Sequence, residues 1–198
     1  MESSYSYNTI DGPILDVILK EKGSKFISYA YPVLDEEQLK QRLEEIKSLH
    51  PKATHHCYAF RLGLKGENYR ANDDGEPSGS AGLPIYNQLL RHNITNVLLI
   101  VVRYYGGTKL GVGGLVKVYK ESAKQILDYA QIVTKELEKT LILEFDFGYQ
   151  NQIFTLLNKF NAKVVDFHST TYGRIKALVR LKVENEMMQA LGGMLKNR

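Results

Sequence analysis

Three carboxylates stand within four residues of the segment ANDDGEPSGSAGLP: Asp73, Asp74 and Glu76. Such a cluster can bind Mg²⁺ or supply general acid and base groups. Its spacing does not fit a calcium loop, which needs a bidentate glutamate about six residues after its glycine. Two other interpretations stay open. One is an Asp-Gly turn whose side chains cap backbone amides. The other, which we favour, is a set of ion pairs with Arg103 or Lys109 that locks this segment to a second loop.

The second loop is RYYGGTKLGVGG, which runs from an apolar segment into the next predicted helix. Ten of the sixteen glycines lie between residues 63 and 114, mostly in these two loops. Because glycine costs conformational entropy, such a concentration needs a reason. Backbone amides at a helix N-terminus carry partial positive charge, so Gly111, Gly113 and Gly114 beside Lys109 predict an anion cradle. The alternative is a structural cluster that packs the two loops together.

The named phosphate-binding motifs do not fit this second loop. A Walker loop requires Gly-Lys-Ser/Thr, whereas here Thr108 precedes Lys109. A dinucleotide fingerprint that starts at Gly111 requires glycine or alanine at position 116, which is Val116. The loop therefore favours a generic anion, such as an RNA phosphate or a partner's carboxylate, over a phosphate cofactor.

Nucleophilic catalysis is also disfavoured by the sequence. The nucleophile elbow Gly-x-Ser-x-Gly nearly fits around Ser80, but Ser78 stands where the first glycine is required. Cys57 shares a predicted strand face with His55 while His56 points away, and a lone strand cysteine is usually buried and unreactive. We predict no catalytic residue and no metal ligand.

The segments around the two loops predict the elements that position them. Asp35 stands three residues before Gln38, which is typical of a helix start, and Pro51 ends that helix. Pro84 suits the first turn of a second helix. The run NVLLIVVRYY is apolar on both faces and predicts a central, buried strand. The predicted elements are a hairpin (14–19 and 25–31), a helix (35–50), a strand (54–64), a helix (84–90), the central strand (96–105) and a helix (115–130).

The pattern restarts at residues 131–135, so we predict two domains, 1–133 and 134–198. The second domain is predicted to contain a strand (141–147), a helix (153–160), two strands (163–169 and 174–183) and a helix (187–195). This βαββα order is typical of a ferredoxin-like domain that lacks its last strand. The predicted fold class is therefore α+β.

One predicted strand of the second domain carries a row of basic residues: Arg174, Lys176, Arg180 and Lys182. A basic sheet face is a candidate RNA surface, but this one offers few aromatic side chains for base stacking. Ferredoxin-like order would also place the strand between the strands that carry Glu144 and Asp166, so the row would have acidic cross-strand neighbours. We therefore expect a charge-balanced, solvated face.

Composition favours a soluble protein with an ordinary core. The chain has 198 residues, a formal net charge of +4 and a pI near 9.0, which is a mild indication of an anionic partner. Cys57 is the only cysteine, so no intramolecular disulfide can form. The start MESSYSYNTIDGP does not resemble a signal peptide, and the longest strongly apolar run, Val97–Val102, is too short to span a bilayer. We expect a cytoplasmic protein that does not contact membranes.

Four strings of this sequence together resemble the signature of the IMPACT/YigZ family, a family of uncharacterised and translation-linked proteins. They are KGSKF, ATHHCYAFRLG, NDDGEPSGSAGLPI and TNVLLIVVRYYGGTKLGVGGLVKVY. The resemblance covers most of the first domain, whereas the second domain matches the family's bacterial C-terminal domain only in size and pattern. One departure is His56, which stands where the family pattern has asparagine.

The resemblance implies a first domain with the left-handed βαβ fold of ribosomal and elongation-factor domains, followed by a ferredoxin-like domain. The pair would be similar to domains IV and V of elongation factor G, which touch ribosomal RNA. Eukaryotic relatives bind a large activator protein and thereby restrain a stress-responsive translation kinase. The resemblance carries over no catalytic residues. The positions that match the signature, which we predict as binding residues, are Asp73, Asp74, Glu76, Ser78, Gly79, Arg103, Tyr104, Gly106, Gly107, Lys109, Gly111, Gly113 and Gly114.

We predict a translation-associated binding or regulatory protein rather than an enzyme. Its two loops (73–82 and 103–114) would contact a ribosome, structured RNA or a protein partner in translation control. No cofactor is predicted, and we expect a monomer. The alternative is a small-molecule enzyme that uses Asp73 and Asp74 with Mg²⁺, and the glycines at the helix start for a phosphate.

Overall fold

A computed structural model describes residues 5–196 of the chain. The chain divides into two units, one of Tyr7–Lys135 and one of the described parts of Met1–Ser6 and Glu136–Arg198. Both units combine helices with β-sheet, so the predicted α+β class is confirmed. None of the helices within residues 5–196 is both long enough and apolar enough to cross a membrane.

The first unit is built on a five-stranded antiparallel sheet in the order β2-β3-β6-β4-β5. A separate two-stranded sheet pairs β1 with β7. The strands are β1 (Ser6–Ile10), β2 (Ile14–Glu21), β3 (Ser24–Pro32), β4 (His55–Leu62), β5 (Asn68–Asn72), β6 (Val97–Tyr104) and β7 (Ile132–Glu136). The helices are α1 (Glu36–Leu49), α2 (Gly82–Arg91) and α3 (Gly111–Asp128).

Strand β6 is the central strand, as its apolar run predicts. Val97, Leu99 and Val101 lie in a core cluster that also contains side chains of α2 and α3. Their neighbours Leu98, Ile100 and Val102 lie in a second cluster, which includes Leu39 and Ile46 of α1. Side chains alternate across a strand, so only a strand that is apolar on both faces can sit between two cores.

The predicted hairpin is the β2–β3 pair, and its turn places a glycine against the second loop. Lys22 and Gly23 have φ angles of 45° and 81°, which gives the two-residue turn a conformation that favours glycine. A Cβ on Gly106 would collide with the backbone of Gly23. The turn and the second loop therefore approach each other backbone to backbone, which requires a glycine at position 106.

Helix α1 starts as its sequence predicts. The backbone N–H of Gln38 donates to the Asp35 carboxylate over 2.8 Å. The Gln38 side chain bonds the N–H of Leu34 at 3.1 Å rather than the N–H of Asp35, so the capping box is shifted outward by one residue. The helix ends at Leu49, before Pro51.

The second unit contains a three-stranded sheet in the order β8-β10-β9, with both pairings antiparallel. Its elements are β8 (Glu138–Phe145), a 3-10 helix (Phe147–Tyr149), α4 (Gln150–Lys159), β9 (Lys163–Ser169), β10 (Gly173–Arg180), α5 (Leu181–Leu191) and a 3-10 helix (Gly192–Met194). Just after the last of these, Leu195 forms an isolated antiparallel bridge with Phe145.

The predicted end of the last strand and both predicted ends of the last helix of the second unit were wrong, since that helix is Leu181–Leu191 and not 187–195. The alternating pattern predicts a strand to Val183, but β10 ends at Arg180 and α5 starts at Leu181. Val183 packs against the same core as the buried Met187 and Leu191, and these positions are four residues apart. That helical stripe fits the core better than two further strand residues would.

The basic residues of β10 have acidic cross-strand neighbours, as predicted, but Lys182 does not belong to this row, because it lies on α5. Arg174 lies opposite Glu144 of β8, with 3.4 Å between Nε and Oε1, and Lys176 lies opposite Asp166 of β9. These pairings balance part of the charge of the sheet face.

Candidate functional site

The candidate site consists of two loops of the first unit. The acidic loop (residues 73–81) joins β5 to α2, and the glycine loop (residues 105–110) joins β6 to α3. Both loops adjoin the end of β6, where the register pairs Arg103 with His55 of β4. Hydrogen bonds from the acidic loop reach β4, β6 and α3, so the loop is held by three elements.

Asp73 fixes the acidic loop and the start of α2. Its Oδ1 accepts hydrogen bonds from the N–H groups of Ala81 (2.9 Å) and Gly82 (2.8 Å), and its Oδ2 accepts one from Gly79 (2.9 Å). Ala81 at the helix N-cap supplies no side-chain cap of its own, so Asp73 caps the helix from nine residues upstream of Gly82. Asp73 therefore caps backbone amides, which is one of the two interpretations that the sequence left open for the acidic cluster.

Asp74 ties the same loop to β4. Its Oδ2 accepts a 2.6 Å hydrogen bond from the N–H of His56, and its carbonyl oxygen bonds Nδ1 of His55 at 2.8 Å. The residue has a φ of 43°, which aspartate tolerates better than most residues. Asp74 therefore has a structural task in positioning the loop.

Glu76 joins the acidic loop to the end of β6, as the ion-pair interpretation predicts. Its Oε1 lies 2.6 Å from Nη1 of Arg103 and accepts a 2.8 Å hydrogen bond from the hydroxyl of Tyr119 on α3. Its Oε2 is 3.8 Å from Nε2 of His55. The Glu76 and Arg103 side chains are only 4% and 5% exposed. Arg103 also stands over the ring of Phe26. The pair is thus a buried link between the loops, and its charges are not presented to solvent.

Cys57 lies beneath this pair and is fully buried, as its strand position predicts. Burial raises the pKa of the Cys57 thiol and the pKa of the Tyr119 hydroxyl. The Cys57 Sγ is 3.0 Å from the carbonyl oxygen of Asp73 and 3.3 Å from the Tyr119 oxygen. A protonated, buried thiol is a poor nucleophile, so this cluster is suited to structure rather than to covalent chemistry.

The serines of the acidic loop differ in exposure. Ser80 is fully buried and its hydroxyl donates to the carbonyl oxygen of Pro77 over 2.6 Å, so it is withdrawn from solvent. Ser78 is exposed at the tip, and the neighbouring Gly79 has a φ of 73° that allows its N–H to reach Asp73. A Cβ at Gly79 would meet no atom within 4 Å, so the backbone angle, and not space, favours glycine there.

The glycine loop is anchored at one end and exposed at the other. The Gly106 N–H donates to Oγ of Ser24 over 3.2 Å, so this amide is already used. The Tyr105 hydroxyl donates to the carbonyl oxygen of Gly107 over 2.7 Å. Gly107 itself is exposed and has a φ of 85°. Gly106, which was predicted as a binding residue from the family signature, therefore uses its amide within the fold.

The start of α3 retains the features of an anion site. Gly111 and Gly113 are exposed and Gly114 is partly buried, and the N-cap residue Leu110 provides no side-chain cap. The first turn of α3 contains no acidic residue. Lys109 is exposed, and within residues 5–196 it forms no ion pair. Positive charge from the helix start and from Lys109 therefore faces solvent.

Tyr104 faces away from the loops. Its hydroxyl is 2.9 Å from Nδ1 of His50, whose Nε2 is 2.6 Å from the hydroxyl of Tyr29. The Tyr29 hydroxyl donates to Oδ1 of Asp16 over 2.6 Å. Arg103 and Tyr104 lie on opposite faces of β6, so the structure does not bring Tyr104 together with the other predicted site residues.

This Asp16–Tyr29–His50–Tyr104 chain was not predicted from the sequence. Its hydrogen-bonded neighbours are 13 to 54 residues apart along the chain, and only the sheet and the end of α1 bring them together. Burial, with the Asp16 carboxylate, raises the pKa of Tyr29, and burial lowers the pKa of His50. His55 and Tyr119 were likewise missed as partners of Glu76, because Tyr119 has the helical spacing of a core residue.

The free energy of unfolding is expected to fall as the pH decreases from 7.5 to 5.5. Burial lowers the pKa of His50 and of His56 below the ordinary value of 6.5. The unfolded chain then binds these protons first, so the stability present above pH 6.5 is lost progressively below it. Urea unfolding at three pH values measures the slope. His50→Gln should make the slope shallower, whereas an unchanged slope would exclude His50 as a cause.

Metal ligation is not evident in the described structure. Within residues 5–196, no three or more His, Cys, Asp and Glu side chains are grouped closely enough to hold an ion. A metal at Asp73 would compete with three N–H donors for the same two oxygens. The chemistry of this carboxylate is therefore that of a cap.

Comparison with known proteins places this site within a family. The model of the Impact N-terminal domain matches residues 22–127, a range that contains both loops. IMPACT family member YvyE of Bacillus subtilis is 31% identical over 181 residues, which cover 91% of this chain and 83% of the relative. IMPACT family member YigZ of Escherichia coli is 33% identical over 152 residues, which cover 76% of this chain and 74% of the relative.

The fold is also represented among solved structures. A crystal structure described as that of a hypothetical protein superimposes with a TM-score of 0.73 at 28% identity and covers 96% of this chain and 93% of its own. The resemblance in the loop strings is therefore matched by similarity along nearly the whole chain. From these matches, the chain belongs to the IMPACT family and carries an Impact N-terminal domain.

Proposed function

We propose that this protein is a translation-associated binding or regulatory protein of the cytoplasm, which contacts a ribosome, structured RNA or a translation-regulator protein through its two loops. The observation that carries the proposal is the family match over residues 22–127, which includes both loops, together with the exposed, positively charged start of α3. The link to translation comes from what the resemblance to IMPACT proteins implies. The buried Glu76–Arg103 pair supports a rigid presentation of the loops.

The same proposal includes the domain scheme. We assign residues 1–133 to an Impact N-terminal-like domain with the left-handed βαβ fold, and residues 134–198 to a ferredoxin-like domain. The β8-β10-β9 order and the βαββα succession support the second assignment. The Phe145–Leu195 bridge lies on β8, the strand that the fourth strand of such a fold would join. Similarity to domains IV and V of elongation factor G is part of this proposal.

The roles of the predicted residues differ within this proposal. Lys109, Gly111, Gly113 and Gly114 form the contact surface, because they combine exposure with unneutralised positive charge. The other loop residues hold that surface in place through the acidic-loop contacts and the buried pair. A partner would therefore meet the start of α3 first, and Ser78 is an exposed hydroxyl of the acidic loop.

The Lys109→Glu/Gly113→Asp double variant is expected to lose at least about tenfold of its ribosome binding while remaining folded. Both changes place negative charge where a phosphate would bind, and a phosphate contact is salt-sensitive. A Cβ at Gly113 meets no atom within 4 Å, and aspartate in the first turn suits the helix dipole, so stability should not fall. Cosedimentation at about 50 and 200 mM salt measures the binding.

Gly113→Ala is the matched control, because it adds the same Cβ without charge. It should bind as the unaltered protein does. The proposal of contact through α3 would be contradicted if the double variant cosedimented with ribosomes as the unaltered protein does and had a native circular dichroism spectrum. Repeating the experiment after ribonuclease treatment separates an RNA contact from a protein contact.

A further inference from the structure

A cavity of about 320 Å³ lies between α2 and α3, and its α3 lining residues, Val116 and Lys120, follow the glycines of the helix start. It is lined by Gly79, Leu83, Pro84, Asn87, Gln88, Arg91, Val116 and Lys120. The volume is at the small end of the range for ligand sites and suits one large apolar side chain with its flanking groups. We refer to it as the α2–α3 cavity.

The walls of the α2–α3 cavity are apolar and open to solvent. Leu83 is 49% exposed and Val116 is 37% exposed. Val112, one turn before Val116 on the same helix face, is 55% exposed. Three exposed aliphatic side chains along two adjacent helices form an apolar patch of the kind that marks contact sites in soluble proteins.

Two cations border this apolar patch. Arg91 follows Leu83 by eight residues and Lys120 follows Val116 by four, so each cation lies on the same helix face as its apolar neighbour. Neither side chain has an ion-pair partner within the described residues, and no residue that lines the cavity is acidic. Lys124 of α3, in contrast, is 3.2 Å from Asp128. The positive charge at the cavity is thus available to an anionic partner.

Gln88 carries an unsatisfied amide oxygen beneath the α2–α3 cavity. The residue lines the α2–α3 cavity and is only 2% exposed, yet its Oε1 has no hydrogen-bond partner among the described residues. A buried amide oxygen without a donor is costly, and native structures usually satisfy such groups. The oxygen itself is out of reach of solvent, so its cost belongs to the packing beneath the cavity and it does not face an occupant.

We propose that the α2–α3 cavity binds an acidic peptide segment of a protein partner. An apolar side chain of the segment packs between Leu83 and Val116, and its carboxylates meet Arg91 and Lys120. RNA fits less well, because no aromatic side chain lines the cavity and single-stranded bases are usually recognised by stacking. The proposal does not depend on Lys109 or on the glycine loop.

The test uses an array of synthetic ten-residue peptides, each with a central Leu or Phe flanked by Asp and Glu at varied distances. Two matched arrays replace the central residue with Ser, or the acids with Asn and Gln. Amide chemical shifts of the isotope-labelled full chain report where each peptide binds. We expect some acidic-apolar peptides to shift α2 and α3 signals, and both matched arrays to bind at least about tenfold more weakly.

Three variants make the test specific. Arg91→Glu/Lys120→Glu should weaken peptide binding at least about tenfold and remove its salt dependence. Lys40→Glu/Lys52→Glu changes the net charge equally at exposed sites on and just after α1, and should bind within about twofold of the unaltered protein. Gln88→Met should leave peptide binding within about twofold of the unaltered protein, because its oxygen does not reach the cavity, while the midpoint of thermal unfolding stays constant or rises as the unpaired amide is removed.

Three outcomes would overturn the proposal. The acidic-apolar array would bind no better than the serine array, or the Arg91→Glu/Lys120→Glu variant would bind peptide normally, or ten-residue oligouridine would shift the cavity signals where peptides do not. The last result would assign the cavity to RNA. A failure here leaves the ribosome test of Lys109 and Gly113 unaffected, so the two proposals fail separately.

Discussion

Arg103→Met is expected to lower the free energy of unfolding by about 3–5 kcal/mol, the largest single effect in the first unit outside the apolar core. The substitution keeps most of the side-chain volume but leaves the Glu76 carboxylate buried without its cation. The Tyr119 hydroxyl alone then bonds Oε1, and His55 remains 3.8 Å from Oε2. Urea unfolding followed by circular dichroism at pH 7.5 measures the change.

A double-variant cycle separates the ion pair from general damage. Arg103→Met/Glu76→Met replaces both buried charges with apolar side chains and should recover much of the lost stability, because no uncompensated charge remains. Arg70→Met, at an exposed site on β5, should change stability by less than about 0.5 kcal/mol. A loss below about 1 kcal/mol for Arg103→Met would show that the pair does not lock the loops.

Asp73→Ala is the second large effect, with an expected loss of about 3 kcal/mol. Three backbone N–H groups lose a charged acceptor at once, and α2 loses its only side-chain cap. The start of α2 and the acidic loop should open locally at a lower free energy than the whole unit unfolds. Native-state hydrogen exchange should therefore accelerate most at Gly79, Ala81 and Gly82, whose amides bond the carboxylate.

Asp73→Asn is the matched variant for this prediction. Its remaining carbonyl oxygen can still accept from the two N–H groups that now bond Oδ1, so about half of the loss should be recovered. Equal losses in the alanine and asparagine variants would mean that the charge, and not the hydrogen bonds, holds the helix start. No change in exchange at the three amides would contradict the capping role.

These two predictions also bear on the enzyme alternative. A magnesium-dependent reaction would need carboxylate oxygens free to bind the ion. In the structure Asp73 accepts three hydrogen bonds, Asp74 accepts one from β4, and Glu76 is buried against Arg103. The carboxylates of the acidic loop are therefore engaged in holding the conformation of the loop itself.

Much of the fold was predictable, because apolar periodicity depends on burial and burial decides the elements. The run from Val97 to Val102 predicted the central strand, and the stripe containing Tyr119 predicted α3. The edge strand β5 was missed, because its residues Asn68–Asn72 are exposed or only partly buried and so carry no alternation. The end of β10 was misplaced because Val183 fits both a strand pattern and a helical stripe.

For the candidate site, the sequence alone determined which loops are special. The glycines, the three acids and Lys109 are unusual by type and spacing, so they could be identified without coordinates, as could the pairing of an acid with Arg103. The tertiary structure decided what each group does. It turned Arg103 inward and Tyr104 to the other face of β6, and it left Arg91 and Lys120 unpaired beside an apolar cavity. The physical reason is that hydrogen bonds and burial join residues that are far apart in the chain, and the pattern of residues in a short stretch of sequence does not identify those distant partners.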